Sequence, residues 1–133
     1  MSAEGALTGA FMYADGSTYH GQFIEVNGKP QRHGAGVFTT PAFVYDGQFA
    51  NDQMHGAGKY AGASGDVYTG SFVSNTYAGE GKYSWADGAL YVGSWYGSRM
   101  HGSGEYTSAS GVRYAGEFVH GLYRAGKAFV SLR

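Results

Sequence analysis

Apolar and polar positions alternate along most of this chain, and rings carry the alternation. The run Tyr45-Asp46-Gly47-Gln48-Phe49 sets a ring, a glycine and a second ring at every other position. Matching runs start at Tyr19, Tyr68, Tyr91 and Tyr114. Downstream of each of the first four lies a second alternating run of glycine, glycine and ring: Gly34, Gly36 and Phe38; Gly56, Gly58 and Tyr60; Gly79, Gly81 and Tyr83; Gly102, Gly104 and Tyr106. A spacing of two places side chains on one face of an extended strand, and no comparable i, i+3, i+4 spacing occurs. The pattern therefore predicts two strands per unit and no helix.

Tyr45, Tyr68, Tyr91 and Tyr114 recur every 23 residues, and Tyr19 precedes Tyr45 by 26, so the first unit carries an insertion, near Lys29 and Pro30. The units read as a half repeat or cap at 1–18, repeats at 19–44, 45–67, 68–90 and 91–113, and a degenerate repeat or cap at 114–133. Asp15-Gly16, Ser64-Gly65, Asp87-Gly88 and Ser110-Gly111 suit the positive φ of tight hairpin turns. The predicted fold is all-β: an elongated, single-layer antiparallel sheet of tandem hairpins, roughly eleven strands and ~50 Å long at ~4.8 Å per strand. Neighbouring hairpins would supply most of each other's contacts, with atypical units at the two ends.

A glycine weakens a strand unless another group must approach its backbone, and here rings from neighbouring strands can lie over the bare backbone. The intervening positions, such as Thr69 and Ser71, Val92 and Ser94, Glu80 and Lys82, are mostly small or polar. That face is expected to meet water.

Composition narrows the function. The 24 glycines, without a three-residue period, exclude collagen, and 17% aromatic residues exclude disorder. A formal charge of -1 gives no footprint for nucleic acid. The absence of cysteine removes disulfides, thiolate metal sites and cysteine nucleophiles. Met1 to Ala10 lacks the pattern of a signal peptide, and no stretch approaches the ~20 apolar residues of a membrane span. The expected location is cytoplasmic, with cytoskeletal or membrane association left open.

The pattern Tyr45-Asp46-Gly47-Gln48-Phe49 followed by His55-Gly56-Ala57-Gly58 resembles the membrane occupation and recognition nexus (MORN) repeat, and further copies cover the chain from about Gly9 to Phe129. The resemblance implies a twisted single layer of hairpins with an aromatic-lined groove. It also implies a non-enzymatic role in binding proteins, membranes or a second copy. This chain departs from the pattern at Ala78, where the usual residue is histidine, and in the last unit, which lacks the glycine pair.

Candidate catalytic features do not hold together. His33, His55 and His101 each precede a G-x-G, but successive copies would stand ~9.6 Å apart, whereas the ligands of one zinc lie within ~2.1 Å of it. A structural role in the turns is expected, and no metal or cofactor. Gly121 to Ala128 nearly spells a phosphate-binding loop, yet Ala128 has no hydroxyl for magnesium and no helix follows. The carboxylates Asp46, Asp52, Asp66, Asp87, Glu80, Glu105 and Glu117 form no recognisable acid and base pair.

The aromatic face remains. With no second layer in the sequence to cover it, it is the candidate site for a protein segment or for a second copy of the chain. The groove residues are Tyr45, Phe49, Met54, Tyr68, Phe72, Tyr77, Tyr91, Trp95, Met100, Tyr114 and Phe118. Within the face, Arg32, Met54, Tyr77, Met100 and Tyr123 occupy one variable row, expected to choose the partner over a floor of invariant rings. The alternative is a membrane-surface module, supported only by Arg113, Arg124, Lys127 and Arg133. Carbohydrate binding ranks lower, because such hairpin modules are richer in tryptophan than a chain with Trp85 and Trp95 alone.

Overall fold

The computed structural model describes residues 7–133, so the first six residues of the half repeat at 1–18, and most of the segment read against a signal peptide, lie outside it. Twelve strands follow one another: β1 (Leu7–Met12), β2 (Thr18–Val26), β3 (Lys29–Thr39), β4 (Phe43–Ala50), β5 (Gln53–Gly62), β6 (Val67–Val73), β7 (Thr76–Ser84), β8 (Leu90–Tyr96), β9 (Arg99–Thr107), β10 (Arg113–Val119), β11 (Leu122–Ala125) and β12 (Ala128–Val130). They form one antiparallel sheet whose spatial order is the order of the sequence. The described residues contain no helix, as the period-two pattern predicts. The extra strand lies at the degenerate end, which keeps Phe129 but not the glycine pair and in which Arg124 pairs with Phe129 across a short hairpin. The near phosphate-binding loop at 121–128 is thus strand β11 and a turn, with no helix end to hold an anion.

A column of glycines crosses the sheet. Gly9, Gly21, Gly36, Gly47, Gly58, Gly70, Gly81, Gly93, Gly104 and Gly116 are register partners in successive strands. Beside it runs a column of rings: Phe11, Tyr19, Phe38, Tyr45, Tyr60, Tyr68, Tyr83, Tyr91, Tyr106 and Tyr114. Tyrosines of one strand lean over glycines of the next. A Cβ at Gly58 would stand 2.5 Å from Cε1 of Tyr45, and Gly36, Gly81 and Gly104 are covered in the same way by Tyr19, Tyr68 and Tyr91. No other residue fits beneath those rings.

The same rings pack edge to face along the sheet. Tyr45 meets Phe49 of its own strand and Phe72 of the next repeat at centroid distances of 5.0 Å, and Tyr68 and Tyr91 repeat the arrangement with Trp95 and Phe118. Tyr19, Tyr45, Tyr68 and Tyr91 are completely covered as a result. Ring-on-glycine packing therefore gives a single layer its own core. The opposite face carries exposed Thr69, Glu80, Lys82, Val92, Ser103, Ala115 and Glu117, as the alternation predicts.

The two glycines of G-x-G do different jobs. Pairing of β4 with β5 jumps from Gly47↔Gly58 to Phe49↔Met54, so Gln48 faces the three residues His55, Gly56 and Ala57. Gly56 takes φ +99° within this bulge, a conformation that glycine adopts without steric cost. The bulged strand gains two residues relative to its partner, an even number. Met54 consequently keeps the same face as Gly58, and the parity of the whole unit survives. Tyr45 Oη donates to the carbonyl of Gln48 at 2.7 Å, tying the ring to the bulge. The same bond joins Tyr68 to Ser71 and Tyr91 to Ser94.

Candidate functional site

The structure separates the eleven proposed groove residues by depth. Tyr45, Tyr68, Tyr91, Phe72 and Phe118 are fully buried, and Phe49, Trp95 and Met100 nearly so. They are the floor. Met54, Tyr77 and Tyr114 are partly exposed and are the members of that set that a partner could touch directly. Around them lie half-exposed side chains absent from the sequence-based set: Tyr60, Tyr83, Trp85 and Asp66. Tyr60 and Tyr83 carried a signal, as the last position of the G-x-G-x-ring run, whereas Trp85 and Asp66 lie outside that motif.

Each member of the variable row faces the second ring of a Y-x-G-x-[FW] run. Met54 pairs with Phe49, Tyr77 with Phe72, Met100 with Trp95, Tyr123 with Phe118 and Arg32 with Phe23. Tyr77 is the centre of the arrangement. It stacks on Tyr68 at 4.0 Å and meets Phe72, Trp95 and Tyr83 edge-on at 5.5, 5.6 and 5.9 Å. Trp95 is fixed by its own indole N–H, which donates to the carbonyl of Gly81 at 3.1 Å.

Two hollows meet at Tyr77 and Tyr83. One, about 310 Å³, is floored by Trp95 and Met100, walled by Trp85 and rimmed by Ser98 and Arg99. The other, about 370 Å³, is bounded by Tyr60, Tyr68, Gly62, Ser64 and Asp66. Burial pushes the hydroxyl of Tyr77 up to about 12. It pushes that of Tyr83 up as well, with a further rise from its hydrogen bond to Asp66. Both phenols therefore stay neutral near pH 7: Tyr83 spends its one donor on Asp66, and Tyr77 presents a hydroxyl and ring face to whatever enters.

The histidines act as fasteners between hairpins. Nδ1 of His55 accepts the backbone N–H of Ser74 at 3.3 Å, and Nδ1 of His101 accepts that of His120 at 3.1 Å. Nδ1 of His33 accepts that of Asn51 at 3.3 Å. In each case the amide belongs to the turn of the following hairpin. Ala78 cannot make this bond, and the corresponding N–H of Gly97 has no hydrogen-bond partner among the described residues. In its place a shallow apolar notch opens between Val73, Ala78 and Tyr96.

The two hollows are lined mainly by rings, with Ser64, Ser98 and Arg99 at their edges and one carboxylate, Asp66, bonded to Tyr83 and Ala86. No curated protein matches the chain. Residues 45–67, 68–90 and 91–113 match the family described as MORN repeat, over more than half of the chain. Three consecutive matches, on the hairpins whose rings, glycines and bulges build the sheet, establish that the chain belongs to the MORN repeat family.

Proposed function

We propose that this chain is an adaptor that holds a segment of another protein against its aromatic face, between the partly exposed Met54 and Tyr77 and the hollows beside them. Repeats of this family are non-enzymatic modules associated with protein or membrane binding. The observation that carries the protein reading is the pair of hollows meeting at Tyr77 and Tyr83, lined by rings and left open on a single-layer sheet. Concave, mostly apolar surfaces with a few placed polar groups are where ligands and partner segments bind.

The membrane reading draws less support. Of its four basic residues, Arg113 pairs with Glu105, Arg124 with Glu117 and Arg133 with Asp87. Three of the four charges that would attract anionic lipid are thereby offset.

Replacing Met54 and Tyr77 together by serine tests the reading. Partner capture by the purified chain is expected to fall at least tenfold while the circular dichroism spectrum and the melting transition persist. Undiminished capture by a folded double variant would sink it.

A further inference from the structure

The hollow bounded by Asp66 has close relatives elsewhere on the same face. One repeat further along, Trp85, Asp87 and Tyr106 stand where the Asp66 hollow has Gly62, Ser64 and Tyr83. That neighbour is filled from within: Arg133 lies over Trp85, with its guanidinium carbon 4.2 Å from the ring centroid. Its Nη1 donates to Asp87 at 3.2 Å and to the hydroxyl of Tyr106 at 3.3 Å. At the other end of the sheet, Tyr13, Asp15 and Phe38 occupy the matching places. There the Tyr13 and Phe38 rings meet edge to face at 5.9 Å, much as Trp85 and Tyr106 do at 5.6 Å. Arg32 lines this hollow, 4.7 Å from the Phe38 centroid and 5.0 Å from that of Phe49.

Two hollows of this face thus already contain a guanidinium group over aromatic faces. The Asp66 hollow has rings, a carboxylate supplied from a different position of the repeat, and no cation among its lining residues. Tyr60, Tyr77 and Tyr83 surround it, and Gly62, in the place of Trp85, leaves it open. Asp66 accepts from the N–H of Ala86 at 2.9 Å and from Tyr83 Oη at 2.8 Å. A carboxylate offers about four lone-pair positions, so about two remain free. None of the four ion pairs among the described residues involves Asp66.

We propose that the hollow bounded by Asp66, Tyr60, Tyr77 and Tyr83 is a site for an arginine side chain carried by the bound protein segment. This deepens, and rests on, the groove reading. The guanidinium plane lies against the ring faces and its N–H groups reach the free positions of Asp66, the combination that Arg133 makes with Trp85 and Asp87. Neighbouring hollows lie two strands apart, ~9.6 Å, close to the ~9.3 Å rise of three residues in a polyproline II conformation, which returns every third side chain to the same side. A segment with arginines three residues apart can therefore fill the Asp66 hollow and displace Arg133 from the next.

The probes are a synthetic peptide, Gly-Leu-Arg-Gly-Leu-Arg-Gly, and its twin with citrulline, which keeps the shape and loses the charge, at both arginine positions. Titration is followed by the ring resonances of Tyr60, Tyr77 and Tyr83. The arginine peptide is expected to shift these signals and to bind about tenfold more tightly than its twin. Asp66→Asn should erase most of that preference, and Arg133→Gln, by emptying the adjoining hollow, should tighten binding of the arginine peptide. The comparison of peptides uses the unaltered chain, so instability of a variant does not blunt it. Equal affinity for the two peptides would overturn the arginine site and leave the groove intact. Binding that moves no resonance of Tyr60, Tyr77 or Tyr83 would overturn it also, whereas loss of the groove itself shows only in the serine double variant.

Discussion

The column of rings over glycines and the rim of turns obey opposite rules. In the column, Tyr19, Tyr45, Tyr68 and Tyr91 each cover a glycine of the next strand, and the identities hardly vary. At the rim, the fastener position holds His33, His55, Ala78 and His101, and the row beside it holds Arg32, Met54, Tyr77, Met100 and Tyr123. The contrast has a steric origin. A ring lying on bare backbone leaves no space for a Cβ, while a turn facing solvent accepts many side chains and many hydrogen-bond partners. The column maintains the sheet, and the rim is free to differentiate one repeat from the next.

Alkali should break the column most completely. Burial pushes Tyr19, Tyr45 and Tyr91 up to about 12, against an ordinary value near 10. Above pH ~10 the unfolded chain releases protons that the folded chain keeps, so stability falls as pH rises and is lost between about pH 10 and 12. Tyrosinate absorbance and circular dichroism should change together in that window. Gradual ionisation without loss of the sheet would show the column to be no more enclosed than the rim.

A methyl group distinguishes the two regions next. Gly81→Ala drives a Cβ into the ring of Tyr68 and should cost about 3 kcal/mol or prevent folding. Gly88→Ala meets open space at a turn with φ +98° and should cost only about 1 kcal/mol. Urea unfolding of the two variants measures the difference, and similar losses would erase the distinction. The fastener ranks with the turn: His55→Ala removes the bond to the N–H of Ser74 and should cost about 1 kcal/mol in the same assay. The smallest effect runs the other way. Ala78→His should supply the missing partner of the Gly97 N–H, raise stability by about 0.5 kcal/mol and slow hydrogen exchange at that amide. An unchanged exchange rate would show that histidine does not act as a fastener here.

The alternation of Tyr45, Gly47 and Phe49 made the sheet legible, because a ring resting on a glycine forces both identities and their spacing. Depth was less legible. Parity assigns Tyr45 and Met54 to one face but cannot tell that the first is wholly covered and the second is not. The bulge at Gly56 was hidden for a related reason: a glycine needed for positive φ looks the same as one needed beneath a ring, and two added residues leave the parity untouched. The turn that splits the end of the last unit into β11 and β12, and the return of Arg133 to Trp85, have no counterpart in the other units, so no periodicity announced them. The histidines were assigned to the turns from their spacing alone, and the Nδ1 bonds give that role its chemistry.

Because the strands lie side by side in the order in which they are linked, no segment is threaded between two others. A load applied to the two ends would therefore meet the hairpins in series. Each repeat of 23 residues, once peeled away, would release up to about 80 Å of extended chain while the remainder kept its form. Stretching such a molecule should give a staircase of similar steps, interrupted at the unfastened hairpin carrying Gly97 by one of lower force.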